Sequence, residues 1–456
     1  MNAILPEPES PAQRSRASGR TFGSLLLALT APFCHRILDR IDRGLAEGEL
    51  RVTLPGGEER LLGGRAPGPR VVVDLASWRA LLRLASGGSV GWYVAWSKGE
   101  WSSPDPVALF EIFSRNRRTL GRTGRSSGIG RGVRRLWHLA NRNNRAGARR
   151  NIHRHYDLGN DFYSVWLDPT LAYSSALFEV PAGAGESLEV AQHRKLEAIL
   201  ARTATEPGER ILEIGCGWGS FARVASAAGR RVHAITISQE QFDALSKASL
   251  PGVEASLTDY RDVTGVYDAV ASIEMVEAVG QEYWPSYLQM IARSLKPGGR
   301  AAIQYIAIDD AIFEAYAENV DFIQAYVFPG GMLLSESRFR ALAEANGLEW
   351  QDKTAFSLDY AETLRRWRAS FDAAIADGHL PRRFDRGFQA LWRYYLMYCE
   401  GGFRGGGIEV AQVTLVKQRY AADASRRCER ACRALPKIGD VGQAPASAAT
   451  PHPIVS

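Results

Sequence analysis

A chain of 456 residues with 45% hydrophobic content and 11 Trp can fill two or three separate cores. Its five cysteines (34, 216, 399, 428 and 432) have no metal-ligand spacing with histidine and are odd in number, which excludes a disulfide framework and points to a reducing cytoplasm. The net charge of +6 is unevenly spread, and no apolar stretch reaches membrane-spanning length.

Residues 1–19 are rich in Pro, Ser and Arg and are expected to be disordered. Ser24 to Phe33 (SLLLALTAPF), after three arginines, imitates a secretory leader. No small-x-small cleavage site follows, and the pattern runs on into HRILDRIDRGL, so an amphipathic or buried helix is the reading. Residues 20–114 read as a small mixed domain: that helix, a strand-turn-strand around Pro55-Gly56-Gly57, a VVVDL strand and the helix SWRALLRLA. From Ile112 to Tyr156 there are 13 Arg and no acid, and residues 115–149 form a basic linker. Such a block attracts polyanions. No nucleic-acid-binding signature accompanies it, so no specific nucleic acid partner is expected. Anionic headgroups suit it, at about 1 kcal/mol per surface-near Arg, with a solvated spacer as the alternative for 115–135.

The most informative run is Arg210-Ile211-Leu212-Glu213-Ile214-Gly215-Cys216-Gly217-Trp218-Gly219. A short apolar strand delivers Glu213 into a turn with Gly215, Gly217 and Gly219, which let a ligand approach the backbone, and a helix start supplies free N–H groups. The third glycine is misplaced for the G-x-G-x-x-G of NAD binders, and the run resembles the S-adenosylmethionine (SAM) loop of class I methyltransferases. Further strands are predicted at 230–236 (RRVHAIT), 267–273 (YDAVASI) and 300–306 (RAAIQYI), the last preceded by a Lys296-Pro297-Gly298-Gly299 stop and turn. Alternation with helices implies an α/β doubly wound parallel sheet. By the same resemblance EVAQVTLVK (409–417) would be the final, antiparallel strand of class I methyltransferases, giving a methyltransferase domain over 150–420 and a disordered tail over 421–456. Before it lie about 100 residues dense in aromatics, helical from Tyr360 to Cys399, which suit a lid over a bulky apolar substrate or simply helix core.

HYDLGNDFYSVWLDPTLAYSSALF (155–178), ILEIGCGWGS, ITISQEQ (235–241), DYRD (259–262), EMVEAVG (274–280), FPGG and YYLMYCEGGFRGGGIEVAQV (394–413) stand in the order found in one family. The chain resembles the cyclopropane-fatty-acyl-phospholipid synthases and mycolic-acid methyltransferases from about Asn151 to Lys417. The resemblance implies SAM contacts from Tyr156, Tyr173, Ser174, residues 211–219, Thr236, Gln241, Asp259 and Tyr260. It implies methyl transfer to a cis double bond of a phospholipid acyl chain at the inner membrane surface by a peripheral, cytoplasmic enzyme, with a homodimer as the leaning. Ring closure to a cyclopropane needs a base, which the family supplies as bicarbonate held by Cys, Glu, His and Tyr. Glu277 and Tyr360 match two of those positions, whereas Ser175 replaces the Cys and Gln304 the His. Cys399 matches a cysteine labelled active in the family, although no activating base is evident and a buried structural thiol is the preferred reading. Phe328 and Tyr305 are candidates for stabilising a carbocation. The changed base positions leave two alternatives open: methylene or methyl-branched products, and a lipid-binding homologue without chemistry.

Overall fold

The computed structural model describes residues 22–121, 158–180 and 185–419, with side chains from Thr30 onward. The segments expected to be disordered at 1–19 and 421–456, most of the basic block and Tyr156 lie outside the described residues.

The first unit is built on a small sheet in the order β2-β1-β3-β4: β1 (Glu49–Thr53), β2 (Glu59–Gly63), β3 (Arg70–Leu75) and β4 (Trp101–Ser102). In β3 the alternation of RVVVDL buries Val71, Val73 and Leu75 on one face, as period-two geometry requires. The helix Phe22–Gly44 carries the leader-like run and continues through Pro32. A second helix, Arg79–Ser97, kinks where Gly88 leaves helical geometry (φ 59°, ψ −139°). Residues 115–120, expected at the start of a linker, instead end the helix Pro106–Arg115, turn at Asn116 and form the helix Arg117–Leu120; Asn116 is buried and its side chain bonds the chain at 46, 47 and 112.

The second unit is an eight-stranded sheet ordered β11-β12-β9-β8-β5-β6-β7, with β10 (Leu334–Ser335) paired to β9. β5 (Arg210–Ile214), β6 (Arg231–Thr236), β7 (Val253–Leu257), β8 (Tyr267–Ile273) and β9 (Leu295–Ile308) run parallel. β12 (Ile408–Lys417) inserts antiparallel between β9 and β11 (Leu348–Ala355). The strand order reverses at β5, so a crevice opens beyond the carboxyl ends of β5 and its neighbours. The expected LKPGG turn sits inside the first residues of β9: pairing steps from Tyr267↔Leu295 to Ala269↔Arg300, and residues 296–299 bulge out.

The aromatic insertion forms two packed helices, Ser357–Ala376 and Arg386–Arg404, the second started by Asp385 accepting from Phe388 N–H at 2.8 Å. Helix Arg386–Arg404 packs along Pro106–Arg115, and Ser114 Oγ bridges the units, donating to the Gly402 carbonyl at 2.9 Å and accepting from Gly407 N–H at 3.0 Å. Among the described residues no helix is long and apolar enough to cross a membrane.

Candidate active site

Gly215, Gly217 and Gly219 hold φ of 76°, 54° and 84° directly after β5. A Cβ at Gly217 would meet nothing within 4 Å, so the backbone there borders open pocket space. Thr236, Gln241, Asp259 and Tyr260, at the ends of β6 and β7, complete one side of that pocket. Ser238 caps the helix Gln239–Ala248 by accepting from Gln241 N–H, and the cap sets Gln241 beside Thr236, whose hydroxyl donates to Gln241 Oε1 at 2.8 Å. Asp259 accepts from the main-chain N–H and the guanidinium of Arg261 at 3.0 and 2.9 Å.

Two buried ionisable side chains face this pocket. Glu213 is 4% exposed and its Oε2 has no hydrogen-bond partner. Burial pushes its carboxyl up to about 8, against the pull of Lys195. Lys195 is fully buried and donates to Ser174 Oγ at 2.5 Å; burial takes its ammonium down to about 8 despite the nearby Glu274, Asp168 and Glu213 carboxylates. Two buried ionisable groups this poor in hydrogen bonds are costly on their own and suit a zwitterionic ligand. Sequence reasoning missed Lys195, yet its spacing carried a signal: with Ala191, Gln192, Leu196 and Ile199 it lies on the buried stripe of helix Leu188–Thr203.

A second cavity, of about 490 Å³, adjoins the first and shares Tyr173, Glu274 and Ala278 with it. Both units line it: Gly87, Trp92 and Phe110 from the first, Phe328, Tyr360 and Tyr395 from the second. Its walls are mainly aliphatic and aromatic, the lining of a site for an apolar ligand.

At the shared wall the Glu274 carboxylate is gripped on both oxygens. Oε1 accepts from Ser175 N–H and Gln304 Nε2, each at 2.8 Å, and Oε2 accepts from the Tyr360 hydroxyl at 2.8 Å. Glu274 holds φ 49°, a left-handed conformation that a non-glycine residue keeps only where its surroundings enforce it.

The model of the mycolic acid cyclopropane synthetase family matches residues 143–413. The chain belongs to this family. It is 40% identical over 281 residues to the tuberculostearic acid methyltransferase of Mycobacterium tuberculosis, covering 59% of this chain and 66% of that protein. It is 36% identical over 266 residues to the cyclopropane-fatty-acyl-phospholipid synthase of Escherichia coli K12, covering 57% and 65%. The chain thus spans just under two thirds of the length of these curated relatives. The crystal structure of mycolic acid cyclopropane synthase CmaA1 complexed with SAH and CTAB superposes with a TM-score of 0.54 at 28% identity, covering 59% of this chain and 98% of that one. The fold is that of class I SAM methyltransferases, and SAM is the cofactor of the family.

Within that family frame, Tyr173, Ser174, Glu213, Gly215, Gly217, Thr236, Gln241, Asp259 and Tyr260 line the first pocket, and Gly219 begins the helix behind it. Of the four residues expected to hold the base, Ser175, Gln304 and Tyr360 meet at Glu274, which the sequence reading passed over. Ser175 contributes its main-chain N–H, while its hydroxyl donates to the Ala176 carbonyl at 2.9 Å. Glu277 lines the cavity three residues on; its Oε1 accepts from Ile306 N–H and its Oε2 has no hydrogen-bond partner. Burial, and then the Glu274 charge, pushes the Glu277 carboxyl up to about 8. Cys399 lines the cavity, and burial, then the nearby Asp321 charge, pushes its thiol well up, which suits a structural thiol. Phe328 lines the cavity next to Tyr173. Tyr305 does not: period two turns it to the opposite face of β9 from Gln304, where its hydroxyl donates to Glu336 at 2.7 Å. Bicarbonate fits poorly, since the donors expected to hold it already bond the Glu274 carboxylate.

Proposed function

We propose that this chain is a SAM-dependent C-methyltransferase acting on the cis double bond of unsaturated phospholipid acyl chains. The observation that carries the reading is the common wall, Tyr173, Glu274 and Ala278, between a glycine-floored pocket with buried Glu213 and Lys195 and a 490 Å³ apolar cavity. When bound, SAM supplies an electrophilic sulfonium methyl. Glu213 and Lys195 would hold the ammonium and carboxylate of its amino-acid end, and Thr236 and Gln241 its ribose hydroxyls. Tyr173 and Phe328 offer π faces to a cation developing on the chain, and the apolar walls keep water from it. The relatives named for lipid substrates support this substrate class.

Ring closure to a cyclopropane is the product implied by the sequence resemblance. A second reading, a methylene-branched chain, is favoured by the altered base site with Gln304 and Glu274 in direct contact. The two products are isomers, each one CH2 heavier than the substrate. Purified protein, methyl-labelled SAM and vesicles of cis-monounsaturated phospholipid give the test. Label should enter the acyl chains, and proton NMR of the fatty esters separates upfield ring protons from vinylidene protons. A folded chain that binds SAM and labels no lipid would refute the enzymatic reading in favour of a lipid-binding homologue.

A further inference from the structure

We propose that Glu274 is the general base of this reaction, a side-chain carboxylate built into the site in place of an exchangeable anion. The assignment rests on the function proposed above. Glu274 borders both cavities, so its carboxylate stands between the methyl-donor pocket and the space for the acyl chain.

The donors around it are fixed by a hydrogen-bond chain that starts at a group unable to accept. The Arg202 guanidinium donates to Gln412 Oε1 at 3.2 Å, which turns the Gln412 amide nitrogen toward Gln304 Oε1 at 3.0 Å. Gln304 must then present its own NH2 to Glu274. Gln304 and Gln412 are direct cross-strand partners on β9 and β12, and Gln304 pairs with Ile273 on β8, so the sheet register itself aims the relay. With Ser175 N–H and the Tyr360 hydroxyl, three donors converge on one carboxylate, an arrangement that orients it and favours its ionised form. Lys195 adds a buried positive charge that favours the ionised form, although burial still lifts the Glu274 carboxyl above the usual range. The neighbouring Glu277, pushed up to about 8, keeps its proton at neutral pH and leaves the negative charge to Glu274.

The step balances without another reagent. The π pair of the alkene forms the carbon–carbon bond to the methyl carbon as the carbon–sulfur bond breaks, and the latter's pair stays on sulfur. The second alkene carbon is left cationic. Glu274 accepts one proton from the transferred methyl, and the released C–H pair closes the ring. After a 1,2-hydride shift the same proton loss instead forms an exocyclic C=C. The proton on Glu274 passes to water once product leaves.

The test uses the full chain in carbonate-free buffer, with bicarbonate and formate as added probes and SAM affinity measured by calorimetry. Wild-type protein should turn over at the same rate with and without bicarbonate. Glu274→Gln should bind SAM normally and lose about 100-fold or more in turnover, the range a general base supplies. Glu274→Gly, which relieves the left-handed backbone, should be equally slow and should recover with formate or bicarbonate filling the vacated space between the same three donors. Slowing of the wild type on removal of bicarbonate, or wild-type turnover in either variant, overturns the assignment alone. A wild-type chain that methylates no acyl chain overturns the functional reading, and this one with it.

Discussion

Gly217 shows how a single position ties backbone conformation to the cofactor. Its φ of 54° disfavours any Cβ, and that Cβ would project into open pocket space. We expect Gly217→Val to weaken SAM binding by about tenfold or more as its side chain fills pocket space, while the strained backbone lowers the thermal melt of a chain that still folds. Unchanged affinity by calorimetry would remove the glycine turn from the cofactor site. Glu277 leads to a different expectation. Its carboxyl is pushed up to about 8 and so is neutral at pH 7, and Gln keeps both that neutrality and an acceptor for Ile306 N–H. Glu277→Gln should therefore cost less than about tenfold in turnover, well short of the loss expected for a general base. Stability supplies the sign. The unfolded carboxyl ionises near pH ~4.3 while the folded one holds its proton to about 8, so wild-type stability falls across that window as pH rises. Glu277→Gln should gain on the wild type between those limits in urea melts, and a constant difference would contradict the shift. The sequence displayed both acids in EMVEAVG, but spacing alone could not say which one the donors face. That depends on the Ile273↔Gln304 and Gln304↔Gln412 registers, which are long-range contacts.

Among the elements, those buried on both faces were legible. RILEI and YDAVASI read as continuous apolar strands because the parallel centre of the sheet is covered on both sides. β7 (VEASL) and β11 (LEWQDKTA) went unseen, since edge strands half open to solvent carry no apolar run. The kinked helix Arg79–Ser97 also hid its role. Ser86-Gly87-Gly88-Ser89 looks like a helix weakness, yet Gly87, Gly88 and Ser89 line the apolar cavity, where a full side chain would occupy the acyl space. A Cβ at Gly87 would meet nothing within 4 Å, and its φ is compatible with other residues. We expect Gly87→Leu to leave SAM binding intact and to discriminate by about tenfold or more against the longest acyl chains. Competition among vesicle lipids of graded chain length reads this directly, and an unaltered product distribution would place the acyl chain elsewhere.

At the scale of the whole molecule, the small N-terminal unit is a wall of the proposed substrate site, so its docking should matter to lipid turnover and not to SAM. No local pattern in the sequence forecasts this, because the contacts that join the units link residues such as Arg117 and Asp309, 192 positions apart. Asp309 starts the helix Asp310–Ala317, accepting from Ala311 N–H at 3.0 Å, and its Oδ2 receives Arg118 Nε at 2.7 Å and Arg117 Nη2 at 2.9 Å. The Arg118 hydrogen bond foremost, with the Ala311 N–H and Arg117 beside it, outweighs burial and takes the Asp309 carboxyl down to about 2. The folded value lies below the unfolded one, near ~3.9. The docking contribution is thus fully present above about pH 4 and is lost as pH falls toward 2. Arg118 is mostly exposed, so salt should weaken the contact further. Asp309→Asn removes the charge while keeping an oxygen for the helix start. We expect it to raise the lipid KM and leave SAM affinity unchanged at neutral pH, with its stability deficit against the wild type closing as pH drops below 4. A deficit that persists unchanged at pH 2 would mean that Asp309 acts through the helix cap and not through the two arginines.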